Sequence, residues 1–393
     1  MVCCTVAAQA QSNHIMLSAP IERLLDVRRQ HLAEALAARE PALFFVSAFC
    51  EIAALLYLWR SGRAAQIRDL IRRGVRNIHL VRLIYVWTIA MLAQAASFPA
   101  AIVAYRLAVT AGTSVQSPAE WLGESASTAV ASALMAAVIF AFMLLLAART
   151  RLWYLFGAAF LVFFILFATF AEPVVYSPWI VHQQTVPESG GKGSWLYDVE
   201  RQMGVHVPIV VEGIGAAADT DVDVSRISGL GPTEQIDISD SLLSTATRGE
   251  LNFVIARESA HISGHDVLRL DLYAALWLIL AAAISVAIAD RIGFRRDDDP
   301  LSRLALLGGI LGIALLAFLP IENAYSRRLE ARADHVAVAA THDPASAVRL
   351  MVRLANVDLL PACPKPIVRR YFLRYPPIAS RIAAVRGGGD PCP

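Results

Sequence analysis

Apolar and polar positions divide this chain into long unbroken blocks. Six runs are almost free of charge: Ala42–Trp59, Leu83–Tyr105, Ala129–Ala148, Leu152–Ala171, Leu272–Ala289 and Leu304–Pro320. About 20 apolar residues in a helix cross a bilayer, so each run predicts a membrane span. A large soluble core is a poor explanation for six of them. Glu51 lies inside the first run, where an ionisable group is either functional or turned to the protein interior. Pro99 predicts a kink in the second. Residues 21–40 carry the period of an amphipathic helix, read as a surface helix ahead of the first span.

The pattern changes between the fourth and fifth runs. His206–Val211 and Glu234–Ile238 read as strands, and Gly190-Gly191-Lys192 as a turn. After the sixth run a helical period returns, followed by an Arg-rich, proline-broken tail. Within it Val368–Tyr375 is basic and aromatic, and reads as a solvated cap. The expected organisation has five parts: a tail and amphipathic helix (1–40), a four-span membrane domain (41–171), an α+β insert (172–271), a two-span hairpin (272–320) and a second polar-striped helix with a C-terminal cap (321–393). The fold class is mainly α, a polytopic membrane bundle with a small α+β domain inserted between spans.

Two amphipathic stretches carry chemistry. In Val254–Asp266, Glu258, His261 and His265 are polar, and Thr247 with Glu250 has capping-box spacing for the helix start. Residues four apart share a helix face, so position 257 lies one turn before His261 with Glu258 beside both. This is the layout of a zincin helix, in which two His ligate zinc and the Glu after the first acts as general base. Here the first ligand position holds Arg257. A third ligand must come from elsewhere. Asn323, Ser326, Arg327, Glu330 and Asp334 form one polar stripe at spacings of three and four. Glu330 is the candidate ligand, and Asp334 a candidate acceptor for the N–H of a ligating His.

The two stretches together resemble the paired motifs of the type I CAAX prenyl protease family of integral-membrane metallopeptidases. Every fixed position of the second motif is present, from Asn323 to Asp334. The family's later His-Pro run is matched by Tyr375–Ile382, with Tyr375 in place of His. The resemblance spans roughly residues 41 to 385. It implies a zincin-like inserted domain, a zinc cofactor and proteolysis of peptide or membrane-protein substrates. It implies that Glu258 activates water, that His261 and Glu330 ligate, and that Arg327 and Tyr375 position or stabilise the oxyanion, with Asn323 and Asp334 in support. It also places about Ser225–Ile238 beside the cleft as a strand able to pair with an extended substrate.

Arg257 puts that chemistry in question. A guanidinium has five donors, no acceptor, and stays protonated, so it cannot ligate a metal. Three outcomes remain open. Arg257 pairs with Glu258 or Glu330 and fills the metal's place, leaving a non-catalytic binding or regulatory protein. Alternatively the metal shifts about one turn, onto His261, His265 and Glu330. Or some altered activity survives.

Composition narrows the partners. The 393 residues are 56% hydrophobic with a formal net charge of only +2, so nothing argues for nucleic acid, and the lipid bilayer is the expected partner. Residues 60–82 hold seven Arg, 290–303 hold four, and Arg149 and Arg151 lie between the third and fourth runs. With six spans these loops share one side, predicted cytoplasmic, which puts the inserted domain and the C-terminal part on the other. Ala8-Gln9-Ala10 resembles the end of a signal peptide without its charged and apolar parts, read as either a misplaced start or a plain tail. Five Cys show no zinc-ribbon spacing, though Cys363 and Cys392 can pair outside the cytosol.

Overall fold

The computed structural model of the chain describes residues 11–112, 114, 116–150, 152–176, 183–212, 225–292 and 300–392. Ala8-Gln9-Ala10 lies outside them. Six helices are long and apolar enough to cross a membrane. They are α1 (Val27–Arg60), α3 (Ile78–Ala111), α4 (Pro118–Arg149), α5 (Trp153–Ala171), α9 (Asp266–Arg291) and α10 (Pro300–Thr341), with α2 (Arg63–Gly74) between the first two. The chain is an integral, multi-pass membrane protein.

The spans close a ring in the order α1, α3, α4, α5, α9, α10. Gly308, Gly309 and Gly312 have no side chain between α10 and Ile52, Leu55 and Leu56 of α1. Small residues let helices approach in a bilayer, where dispersion contacts replace the hydrophobic effect as the driving force. At the Arg-rich end, Val81, Tyr85 and Ile89 of α3 pack with Leu58, Ala137, Leu301 and Ala305.

Two expected boundaries are absent. The amphipathic helix and the first span are one 34-residue helix, capped by Asp26 accepting from the Arg29 N–H and running through Pro41. No glycine or turn residue separates the two patterns, and one proline removes only one ladder bond. Likewise the sixth span and the polar-striped helix form a single 42-residue helix through Pro320. A continuous helix therefore carries Glu330 from the bilayer to the site. Ser97 Oγ on α3 donates to Glu51 Oε1 at 2.7 Å, so this intramembrane acid has a partner inside the ring.

The inserted part is a four-stranded sheet with helices on it. The strands are β1 (Gln184–Thr185), β2 (Ile209–Glu212), β3 (Ser225–Ser228) and β4 (Gln235–Ser239), in the order β1-β2-β4-β3. β2 and β4 are parallel, and the other pairs antiparallel. Helices α6 (Gly193–Gln202), α7 (Asp240–Thr245), α8 (Arg248–Ser263), α11 (Pro344–Val357), α12 (Pro366–Tyr371) and α13 (Ile378–Val385) complete it. Ile209, Ile236 and Ile238 of the sheet, Leu251, Phe253 and Ile255 of α8, and Val348 and Met351 of α11 share one core. Each such side chain contributes about 1.5–3 kcal/mol on burial. Cys363 and Cys392 are joined by a disulfide that closes the C-terminal cap.

Candidate functional site

Helix α8 is the element on which the site is built. Thr247 caps it by accepting from the Glu250 N–H at 3.4 Å, and Glu250 returns the bond by accepting from the Thr247 N–H at 2.7 Å. The helix is apolar on most of its surface, so it lies buried between sheet, α11 and α10. Past its first turn, its ionic residues are Arg257, Glu258 and His261. Glu258 is 2% exposed and His261 7%, so each charge there needs a partner.

Arg257 supplies it. One guanidinium nitrogen donates to Glu258 Oε1, a second donates to Glu330 Oε2 across the gap to α10, and Nε stands 3.3 Å from Asp334 Oδ1. Burial works against its charge, but the Glu330, Glu258 and Asp334 carboxylates outweigh that and hold the guanidinium pKa above its usual value. Ser225 of β3 also donates to Glu258 Oε1, at 2.9 Å. His261 Nδ1 is 2.8 Å from Asp266 Oδ2, and Nε2 faces Glu330 Oε2 at 3.5 Å. Burial alone would lower the imidazole pKa; Asp266, then Glu330, reverse that and raise it to about 9. Arg332 Nη2 reaches the end of α8, donating to Ala260 O at 3.1 Å and Asp266 Oδ2 at 2.5 Å. Gly264 leaves room for it, since a Cβ there would collide with the guanidinium.

Asp334 is gripped in two-pronged fashion by Arg381, Nε to Oδ2 at 2.7 Å and Nη2 to Oδ1 at 2.9 Å. Arg269 adds a longer contact to Asp266, Nη1 to Oδ1 at 3.6 Å. Five cations, Arg257, His261, Arg269, Arg332 and Arg381, thus face four carboxylates, Glu258, Asp266, Glu330 and Asp334.

Of the residues singled out in the sequence, the structure brings Arg257, Glu258, His261, Glu330 and Asp334 together. It gives others a different place. His265 lies beyond the last residue of α8, in the left-handed region at φ 51°, and is exposed. The helix ends before it, so the four-residue spacing from His261 does not stack the two imidazoles. Asn323 Nδ2 donates to Tyr371 O at 2.8 Å and Arg370 O at 3.3 Å. Arg327 Nη1 donates to Leu373 O at 2.7 Å and Arg369 O at 2.9 Å. These two side chains hold the end of α12 and are engaged away from Glu258. Asp334 serves Arg381 and Arg257, and Asp266 takes the imidazole N–H expected of it. Tyr375 is half-buried; burial raises its hydroxyl pKa, Arg381 opposes this, and Glu330 adds to it. Sequence reasoning missed Ser225, Asp266, Arg332 and Arg381. Asp266 is five residues past His261 across a helix end, where no helical period flags it.

A helical membrane ring with an inserted α+β domain, and a zincin-type helix facing a glutamate on a second helix, define an integral-membrane zincin scaffold. Residues 227–388 match Peptidase family M48. A protease HtpX homolog of Thiobacillus denitrificans is 24% identical over 208 residues, covering 49% of this chain and 71% of the relative. One from Gemmatimonas aurantiaca is 26% identical over 240 residues, covering 54% and 79%. The crystal structure of S. mikatae Ste24p superposes with a TM-score of 0.77 at 15% identity, over 97% of this chain and 96% of that one. The chain is thus similar to the CAAX prenyl protease-like membrane metallopeptidases, in sequence over residues 227–388 and in fold over nearly its whole length.

Peptidases of that family are zinc-dependent. The residues here do not fit the ion. Catalytic zinc takes three protein ligands and an open position for water. Of the three, only His261 and Glu330 are present at the usual point, and Glu330 is held by a guanidinium. Among the described residues no group of three His, Cys, Asp or Glu is placed to hold a metal. A dication would also enter beside a fixed, buried cation, an interaction costing several kcal/mol as an order of magnitude.

Proposed function

We propose that this protein is a metal-free relative of the membrane metallopeptidases, which keeps the cleft to bind peptide or membrane-protein segments and does not hydrolyse them. The observation that carries this reading is the bridge from Arg257 to Glu258 and Glu330. It occupies the point between the two carboxylates where a metal and its water belong. Arg–carboxylate pairing in a dry site is strong and directional. With its Oε1 taken by Arg257 and Ser225, Glu258 serves as a structural acceptor.

The cleft keeps the means to bind an extended chain. β3 is one of the two edge strands of the sheet and packs against α8. An edge strand offers unpaired backbone groups to a peptide, which gives affinity, while neighbouring side-chain pockets give selectivity. The Arg-rich loops on the opposite side and the Cys363–Cys392 disulfide favour a non-cytoplasmic cleft. The shifted set of His261, His265 and Glu330 is disfavoured by the exposed, left-handed His265.

The full-length chain, incubated with fluorescent unfolded casein, tests this reading. Binding unchanged by chelator or by added zinc, with no new casein termini, is expected. Zinc-dependent cleavage that disappears in Glu258→Gln would overturn it.

A further inference from the structure

A second site lies at the bilayer boundary, between α1 and α3. A groove of about 510 Å³ opens there toward the lipid, lined by apolar Leu43, Val103 and Leu107, with Arg39 and Arg106 at its rim. Both arginines are exposed, and neither has an ionic or hydrogen-bonding partner among the described residues.

Depth is set by helix geometry. Arg39 and Arg60 bracket the apolar part of α1 with about 30 Å between them, the thickness of a hydrocarbon core. Arg82 and Arg106 bracket that of α3, which runs the other way. Arg39 and Arg106 therefore stand at one headgroup level. Two aromatic groups mark the same level. Phe44 and Phe45 of α1 meet Phe372 and Tyr371 at ring distances of 5.0 and 5.2 Å, and Tyr105 stacks on Trp121 at 4.6 Å. Such rings gather where hydrocarbon meets water.

Glu40, next to Arg39, is within electrostatic reach of Tyr375 in the C-terminal cap. Glu120 accepts from the Ser117 N–H, and Glu124 accepts from Gln116. Two free cations over an apolar trough match one ligand chemistry, a phosphodiester anion attached to acyl chains. We infer that Arg39 and Arg106 bind the headgroup of an anionic phospholipid whose acyl chain lies in the groove between α1 and α3. The groove floor adjoins Leu107 and Ala111, which pack with Ala33, Leu36 and Leu359. A lipid bound there braces the contact between the membrane ring and the C-terminal cap.

Native mass spectrometry of the full chain from mixed phosphatidylglycerol–phosphatidylcholine vesicles tests the site. The wild type should retain phosphatidylglycerol over phosphatidylcholine, and Arg39→Ala/Arg106→Ala should lose about tenfold of that retention. Arg73→Ala/Arg76→Ala, at the other membrane face, should retain as much as wild type. All three proteins should melt as folded chains without added lipid. Equal retention of both lipids by the wild type, or undiminished phosphatidylglycerol on a folded Arg39→Ala/Arg106→Ala variant, would overturn the inference. Equal loss in the control pair would show a general charge effect and would overturn it as well.

Discussion

At the centre of the site Arg257 meets Glu258 and Glu330 in the gap between α8 and α10. One turn outward, Asp266, Arg332, Asp334 and Arg381 tie the same two helices to each other and to the C-terminal cap. The outer collar is what a zincin scaffold needs to aim its ligands: an acid on the imidazole Nδ1, and a fixed angle between the two helices. The centre has exchanged an imidazole lone pair for a fork of donors. Collar and centre differ because they answer to different demands. Holding two helices together requires charge balance and geometry, which any suitable ion pair supplies. Holding a dication requires lone pairs at one point, and a single change of side chain removes that.

The comparison breaks most sharply at Arg257. Arg257→Ala leaves Glu258, Glu330 and Asp334 without their shared cation, and should destabilise the folded chain by about 3–5 kcal/mol. Denaturant melts in detergent read this, and a change near zero would mean the centre carries no stability. Arg257→His should show a similar loss that zinc reverses, by about 2.7 kcal/mol at a hundredfold excess over its Kd. Absence of a zinc shift in that variant would mean that the collar no longer aims the ligands.

Arg381→Ala tests the collar most directly. It leaves buried Asp334 with only the longer contact to Arg257 and should cost about 3 kcal/mol, without conferring zinc binding. Next comes pH. The folded imidazole of His261 titrates at about 9, above its ordinary value of 6.5. A raised pKa means that its contribution is complete below 6.5 and is lost as pH rises through 9. Stability should therefore fall between those values in the wild type, and the fall should flatten in His261→Gln. The smallest effect belongs to the frame that holds both regions. Thr247→Ala removes the cap of α8 and should cost about 1 kcal/mol, with the ion pairs unchanged.

Much of this was legible in the sequence, for local reasons. Span length follows from bilayer thickness, and the start of α8 from the spacing of Thr247 and Glu250. Glu258, His261 and Glu330 were legible because helical spacing fixes which residues share a face. Helix ends defeated the same reasoning. His265 has the right spacing but follows the end of α8, and Asp266 has the wrong spacing yet reaches His261. Long-range pairing was equally hidden: nothing local to Asp334 announces Arg381, 47 residues away. Arg327 looked catalytic from its motif, and only the fold shows it holding the carbonyls of Arg369 and Leu373.

The most direct test of the central claim is the zinc content of the purified full-length chain after zinc loading and desalting, with Arg257→His measured alongside. The account predicts a wild type with far less than one zinc per chain and a variant approaching one. A stoichiometric zinc in the wild type, lost in His261→Ala and in Glu330→Ala, would contradict it.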